Sequence, residues 1–81
     1  MRPAPTLDQF REAVLSLHKE HYPAAVRQKY LKEFLESGEG EDFIKSEYDS
    51  WLHRFEDGNL TEAQFMDYAV STTAYNLFMF C

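Results

Sequence analysis

Between His53 and Gln64 the side chains are spaced like part of a calcium-binding loop. Such a loop holds its cation through oxygens at positions 1, 3, 5 and 12, and needs glycine at position 6 for its sharp turn. With Gly58 at position 6, Asp57 stands at 5, Leu60 at 8 and Gln64 at 12. His53 then falls at 1 and Phe55 at 3, and neither brings a carboxylate. Gln64 cannot act as a charged bidentate ligand. The turn is kept and the ligands are lost, so no calcium is expected here. A second register over residues 36–47 has Phe43 at 8 and Glu47 at 12, but it puts Gly40 at 5 and Glu41 at 6, one residue out of place.

Other chemistry is equally incomplete. His18 and His21 are three apart on one helix, with Glu20, His53 and Cys81 as further donors. A structural zinc site wants two close ligand pairs, and only one is present. Cys81 is the last residue, and neither Ser37 nor Ser71 sits in a nucleophile motif. Gly38-Glu39-Gly40 lies among carboxylates, which repel phosphate. No catalytic residue, metal or cofactor is therefore expected, and the chain does not read as an enzyme.

A chain of 81 residues makes one domain. Seven Phe, five Tyr and one Trp supply enough apolar surface for a core without staples. The single cysteine excludes an internal disulfide and fits a reducing compartment, so a cytoplasmic setting is expected. The net charge of −6 is uneven. Residues 1–34 hold six Lys/Arg and four Asp/Glu, and residues 35–81 hold two and ten. The acidic half disfavours nucleic acid and anionic membrane, and attracts a basic protein surface. Met1-Arg2-Pro3 leads into a polar helix with no apolar run of signal-peptide type. The apolar run Leu77-Phe78-Met79-Phe80-Cys81 is too short to span a bilayer, so no membrane insertion is expected.

The periodicity is helical throughout and predicts an all-α bundle of four helices, over 6–21, 23–36, 42–56 and 61–80. Thr6 with Gln9 has capping-box spacing, and Phe10, Val14 and Leu17 follow on one face. Pro23 suits the first position of the second helix, whose stripe is Val26, Tyr30, Leu31, Phe34 and Leu35. Gly38 and Gly40 stop it, and Asp42 can cap the third helix. That helix carries Ile44, Tyr48, Trp51, Leu52 and Phe55 on one broad face and closes at Gly58. Thr61 with Gln64 is a second capping box, and Leu60 with Phe65 a hydrophobic staple. The corner at 55–65 thus has a structural use that needs no metal. Ser71-Thr72-Thr73 weakens the last helix locally.

With the helices placed, the chain resembles the BART-like domain, an all-helical module that binds ADP-ribosylation-factor-like small GTPases. The likeness rests on Tyr22-Pro23 with the helix ending Lys32-Glu33-Phe34, on residues 43–52 with the central Glu47-Tyr48, and on Leu60-Thr61-Glu62-Ala63-Gln64-Phe65 with Ala74-Tyr75-Asn76-Leu77-Phe78. It implies a groove between helices that accepts an amphipathic helix of a small GTPase, and it adds the cilium to the expected setting. Residues 57–65 alone are similar to a degenerate EF-hand, which would make the chain a calcium-independent binding module.

The expected function is protein binding by helix-in-groove recognition, with an acidic rim selecting a basic amphipathic helix. Tyr48, Trp51, Phe55, Phe65, Tyr68 and Tyr75 are the candidate partner-binding residues. The apolar run at 77–81 supports an alternative, a small structural subunit whose C-terminal end is buried in a larger assembly.

Overall fold

The computed structural model describes residues 4–80, and the readings made on Met1-Arg2-Pro3 and on Cys81 lie outside them. It is an all-α bundle of four helices. α1 is Leu7–His21, α2 is Ala25–Glu36 and α3 is Glu39–Glu56. α4 covers residues 62–80 as Glu62–Gln64, a π-helical stretch Phe65–Ala69, and Val70–Phe80.

Both capping boxes form as read. Thr6 Oγ1 accepts from Gln9 N at 3.1 Å, and Gln9 Oε1 accepts from Thr6 N at 2.8 Å. Thr61 Oγ1 accepts from Gln64 N at 3.1 Å, and Gln64 Oε1 accepts from Thr61 N at 2.9 Å. The twelfth residue of the would-be calcium loop therefore spends its oxygen on a backbone N–H. Before it, α3 closes in a Schellman arrangement: Asn59 N donates to Arg54 O at 3.2 Å and Gly58 N to Phe55 O at 3.0 Å. Gly58 has φ +82°, the left-handed conformation this closure requires.

Two helix starts differ from the sequence reading. α2 begins at Ala25 rather than Pro23, because Tyr22–Ala24 is needed as connector. Ala24 offers no side-chain cap, and Gln28 Nε2 instead donates back to Tyr22 O at 2.9 Å. α3 begins at Glu39 rather than Asp42. Gly38, at φ +88°, ends α2 and starts α3 within one residue. Ser37 Oγ donates to Phe34 O at 2.7 Å and accepts from Glu39 N at 3.3 Å, which ties the two helix ends together. Glu39, Glu41 and Asp42 then occupy the first turn, where carboxylates oppose the positive end of the helix dipole. Gly40 is not a breaker. It is buried at the α2/α3 contact, where a Cβ would stand 3.0 Å from Leu35 N.

Ring contacts give the helix directions. Phe10 meets Phe65 and Tyr22 meets Phe78, so α1 and α4 run parallel. Phe55 meets Phe65 and Phe43 meets Phe80, so α3 runs antiparallel to α4. α2 folds back over the last turns of α1, where Gln28 reaches His18.

The core is Phe10, Val14, Leu31, Ile44, Phe55, Phe65, Ala69, Val70, Ala74 and Leu77, and His18 and Thr73 are buried with it. Phe65, Ala69, Thr73 and Leu77 are spaced by four, yet all are buried. At 3.6 residues per turn such a row drifts by about 40° per step. The wider π-helical turn at Phe65–Ala69 takes up part of that drift and keeps the row inward. Arg11 on α1 grips Glu41 on α3 with Nε at 2.9 Å and Nη2 at 2.7 Å from Oε1, a two-pronged pair that the sequence reading had not identified.

Candidate functional site

The partner-binding candidates divide into three groups. Phe55 and Phe65 are core residues, 3% and 0% exposed, and offer no surface. Tyr48 and Trp51 are half-buried against the core. The Tyr48 ring packs against both Phe10 and Phe65, and its hydroxyl donates to Pro5 O at 2.6 Å. Burial, and after it Asp49 and Glu56, push the Tyr48 phenol up. Its role here is to latch the segment before α1 onto α3. The Arg54 guanidinium lies over the Trp51 ring, 4.6 Å from its centroid. Tyr68 and Tyr75 are 50% and 53% exposed on α4. Two of the six candidates, Phe55 and Phe65, therefore present no surface to a partner.

The apolar end of α4 is likewise divided. Leu77 is in the core, and Phe78 stacks on Tyr22 with centroids 4.0 Å apart and the Arg27 guanidinium 4.6 Å over its ring. Phe80 touches Phe43 at 5.4 Å but remains 69% exposed, and Met79 is 62% exposed. Among the described residues, no three His, Cys, Asp or Glu side chains come together as a metal site, and no helix is long and apolar enough to cross a membrane.

What the structure does build is a groove. On α1 the residues Phe10, Val14 and His18 point inward at helical spacing, which leaves Leu15 and Lys19 on the flank toward α2. On α2, Leu31 is buried while Leu35 is half-buried beside it. Leu15, Leu31 and Leu35 line an open apolar groove of about 430 Å³. Lys19 rises on one lip, and Lys32 and Glu36 on the other. The α2 stripe Val26, Tyr30, Leu31, Phe34 and Leu35 contains two of these leucines. It is too wide to be one face: Val26 and Tyr30 are 52% and 47% exposed.

A buried histidine supports the groove from beneath. His18 is fully buried, and its Nδ1 lies 3.1 Å from Gln28 Nε2, a residue that lines the groove. With Gln28 Nε2 also donating to Tyr22 O, Nδ1 accepts and the ring proton sits on Nε2. Among the described residues, neither His18 Nε2 nor the buried Thr73 Oγ1 has a hydrogen-bond partner. Burial, with Arg27 adding repulsion, pushes the His18 imidazolium pKa down. The unfolded chain then binds the proton more tightly than the folded one. The contribution to stability is complete above the unfolded value, about 6.5, and is lost as pH falls toward the lowered folded value. Urea titrations between about pH 7.5 and pH 5 are expected to show falling stability, and His18→Leu is expected to flatten that slope. An unchanged slope in the variant would place the proton uptake elsewhere.

No family model, curated protein or solved structure matches the chain.

Proposed function

We propose that this chain is a small protein-binding module that seats an amphipathic helix in the groove between α1 and α2. The observation that carries this reading is the groove: three leucines at its base, open to solvent, with charged lips on both helices. An apolar stripe with anchors at helical spacing is the natural complement of such a surface.

The lips refine the partner. The whole chain is acidic, yet Lys19 and Lys32 face each other across this groove against a single Glu36. Its occupant is an amphipathic helix with acidic residues beside the apolar stripe, not the basic helix that overall charge favours. A small GTPase presenting such a helix is the partner to which the BART-like resemblance points. The reading is that of an interaction module and not of an enzyme.

A synthetic helix of about five turns, leucine on one face and glutamate on the other, tests this. Two-dimensional NMR is expected to show shifts at Leu15, Lys19, Gln28 and Lys32. Lys19→Glu with Lys32→Glu is expected to weaken binding about tenfold or more. Because the protein carries −6 overall, nonspecific attraction cannot produce this result. Shifts confined to other surfaces, or no binding, would end the proposal.

A second reading rests on Tyr75, Met79 and Phe80, which leave the end of α4 unusually apolar and exposed. A small subunit held in a larger assembly by that end would bury them. Light scattering of the isolated chain separates the two readings, since a stable monomer removes the need for such an assembly.

A further inference from the structure

We propose that the groove between α1 and α4 is a second docking site, one that takes an amphipathic helix with a basic flank. Ala13 and Leu17 on α1 and Met66 and Val70 on α4 form its floor, and it encloses about 400 Å³. Glu20 stands on the α1 lip and Asp67 on the α4 lip, both exposed. Ser16 and Ser71 also line it, and their short side chains leave the apolar floor accessible.

Three features identify the occupant. Among the described residues, the lining contains two carboxylates on opposite walls and no Lys or Arg. A helix with leucines toward the floor and Lys or Arg on both flanks satisfies the floor and both lips at once. Met66 at the floor is the side chain best able to adapt to differing apolar anchors. Met66 and Asp67 also belong to the π-helical stretch Phe65–Ala69, a departure from regular helix that recurs at functional sites. Here it turns the inward row of α4 and sets these two residues on the wall that faces α1.

The two grooves flank the same helix. Leu15 and Lys19 lie on one side of the buried row Phe10, Val14 and His18, and Ala13 and Leu17 on the other. One groove has lysines on both walls and the other carboxylates, so both sites can be filled together by helices of opposite charge. In that case the module joins two partners.

The test uses the intact chain and a fluorescent synthetic helix of about five turns with leucine on one face and lysine on the other. Saturable binding of about one peptide per chain is expected. Glu20→Lys with Asp67→Lys is expected to weaken it at least about tenfold, with the helical circular dichroism unchanged, because both positions are exposed. Glu33→Lys with Glu56→Lys makes the same change in net charge away from the groove, and is expected to cost less than about threefold. Lys19→Glu with Lys32→Glu is expected not to weaken binding. No saturable binding by the unaltered chain overturns the proposal, as does an equal loss in the two lysine-substituted variants. Since the acidic peptide reports on the α1/α2 groove alone, failure of either site is visible separately.

Discussion

Phe65→Ala is expected to abolish cooperative folding or to remove most of the chain's stability. Phe65 is fully buried at the point where α1, α3 and α4 meet. Its ring lies 6.2 Å from that of Phe10, 6.0 Å from Tyr48 and 5.8 Å from Phe55, each approached edge-on. Truncating a buried Phe costs about 3–5 kcal/mol, from lost transfer energy and the cavity left behind. Loss of favourable edge-to-face contacts comes on top of that. A chain of 81 residues has roughly 4–12 kcal/mol in total. The variant therefore stands near or below the folding threshold. Urea unfolding followed by circular dichroism measures it. Tyr68→Ala, three residues on and half exposed, is the internal comparison, expected within about 0.5 kcal/mol of the parent. Comparable losses in the two would contradict the three-helix junction described above.

The second large effect concerns two glycines, two residues apart, that are needed for different reasons. Gly40→Ala is expected to destabilise by about 1–3 kcal/mol, the usual cost of overpacking. The new methyl would stand 3.0 Å from the backbone nitrogen of Leu35 and 3.1 Å from its Cα, and backbone atoms cannot rotate away. Alanine's better helix propensity, worth about 1 kcal/mol, offsets only part of this. Gly38 has open space where a Cβ would go, but its φ is +88°. Asparagine tolerates the left-handed region, so Gly38→Asn is expected to cost less than about 1 kcal/mol. Gly40→Asn is expected to be as damaging as Gly40→Ala or worse. Thermal unfolding of the three variants decides the matter. If Gly40→Ala is neutral, α2 and α3 are not in contact at Leu35.

The helix ends of this chain follow local rules. Thr6 with Gln9 and Thr61 with Gln64 cap as their spacing predicts, because a capping box is closed by residues three apart and needs no distant partner. Gly58 closes α3 for the same reason. The corner at 55–65, which reads first as a damaged calcium loop, is a Schellman closure followed by a capping box. The side-chain oxygens of Thr61 and Gln64 are spent on backbone N–H groups.

Features that depend on non-local contacts are not legible in the sequence. Gly38-Glu39-Gly40 looks like a helix breaker until Leu35 is seen packed against Gly40, which makes the second glycine part of α3. The row 65, 69, 73, 77 is not a regular α-helical face, and only the need to bury all four side chains shows that the helix must widen at Phe65–Ala69. Phe55 and Phe65 read as interface aromatics for a related reason. Periodicity identifies an apolar face but not what covers it, and here Phe55 packs on Phe65 of α4 while Phe65 is covered by Phe10 of α1 and by Tyr48 and Phe55 of α3.

Composition and periodicity therefore determined that this chain is an all-helical domain with four helices, capped at Thr6 and Thr61 and turned at Gly38 and Gly58. Those properties depend on backbone preferences and on residues a few positions apart. The packing of α2 onto α1 and of α4 alongside it was decided by tertiary structure alone. That packing sinks His18 into the core, sets Lys19 opposite Lys32 and Glu20 opposite Asp67, and leaves two grooves of opposite charge on either side of α1. A groove is the space left between helices after the core is filled, so it depends on which faces meet, and no single helix encodes it.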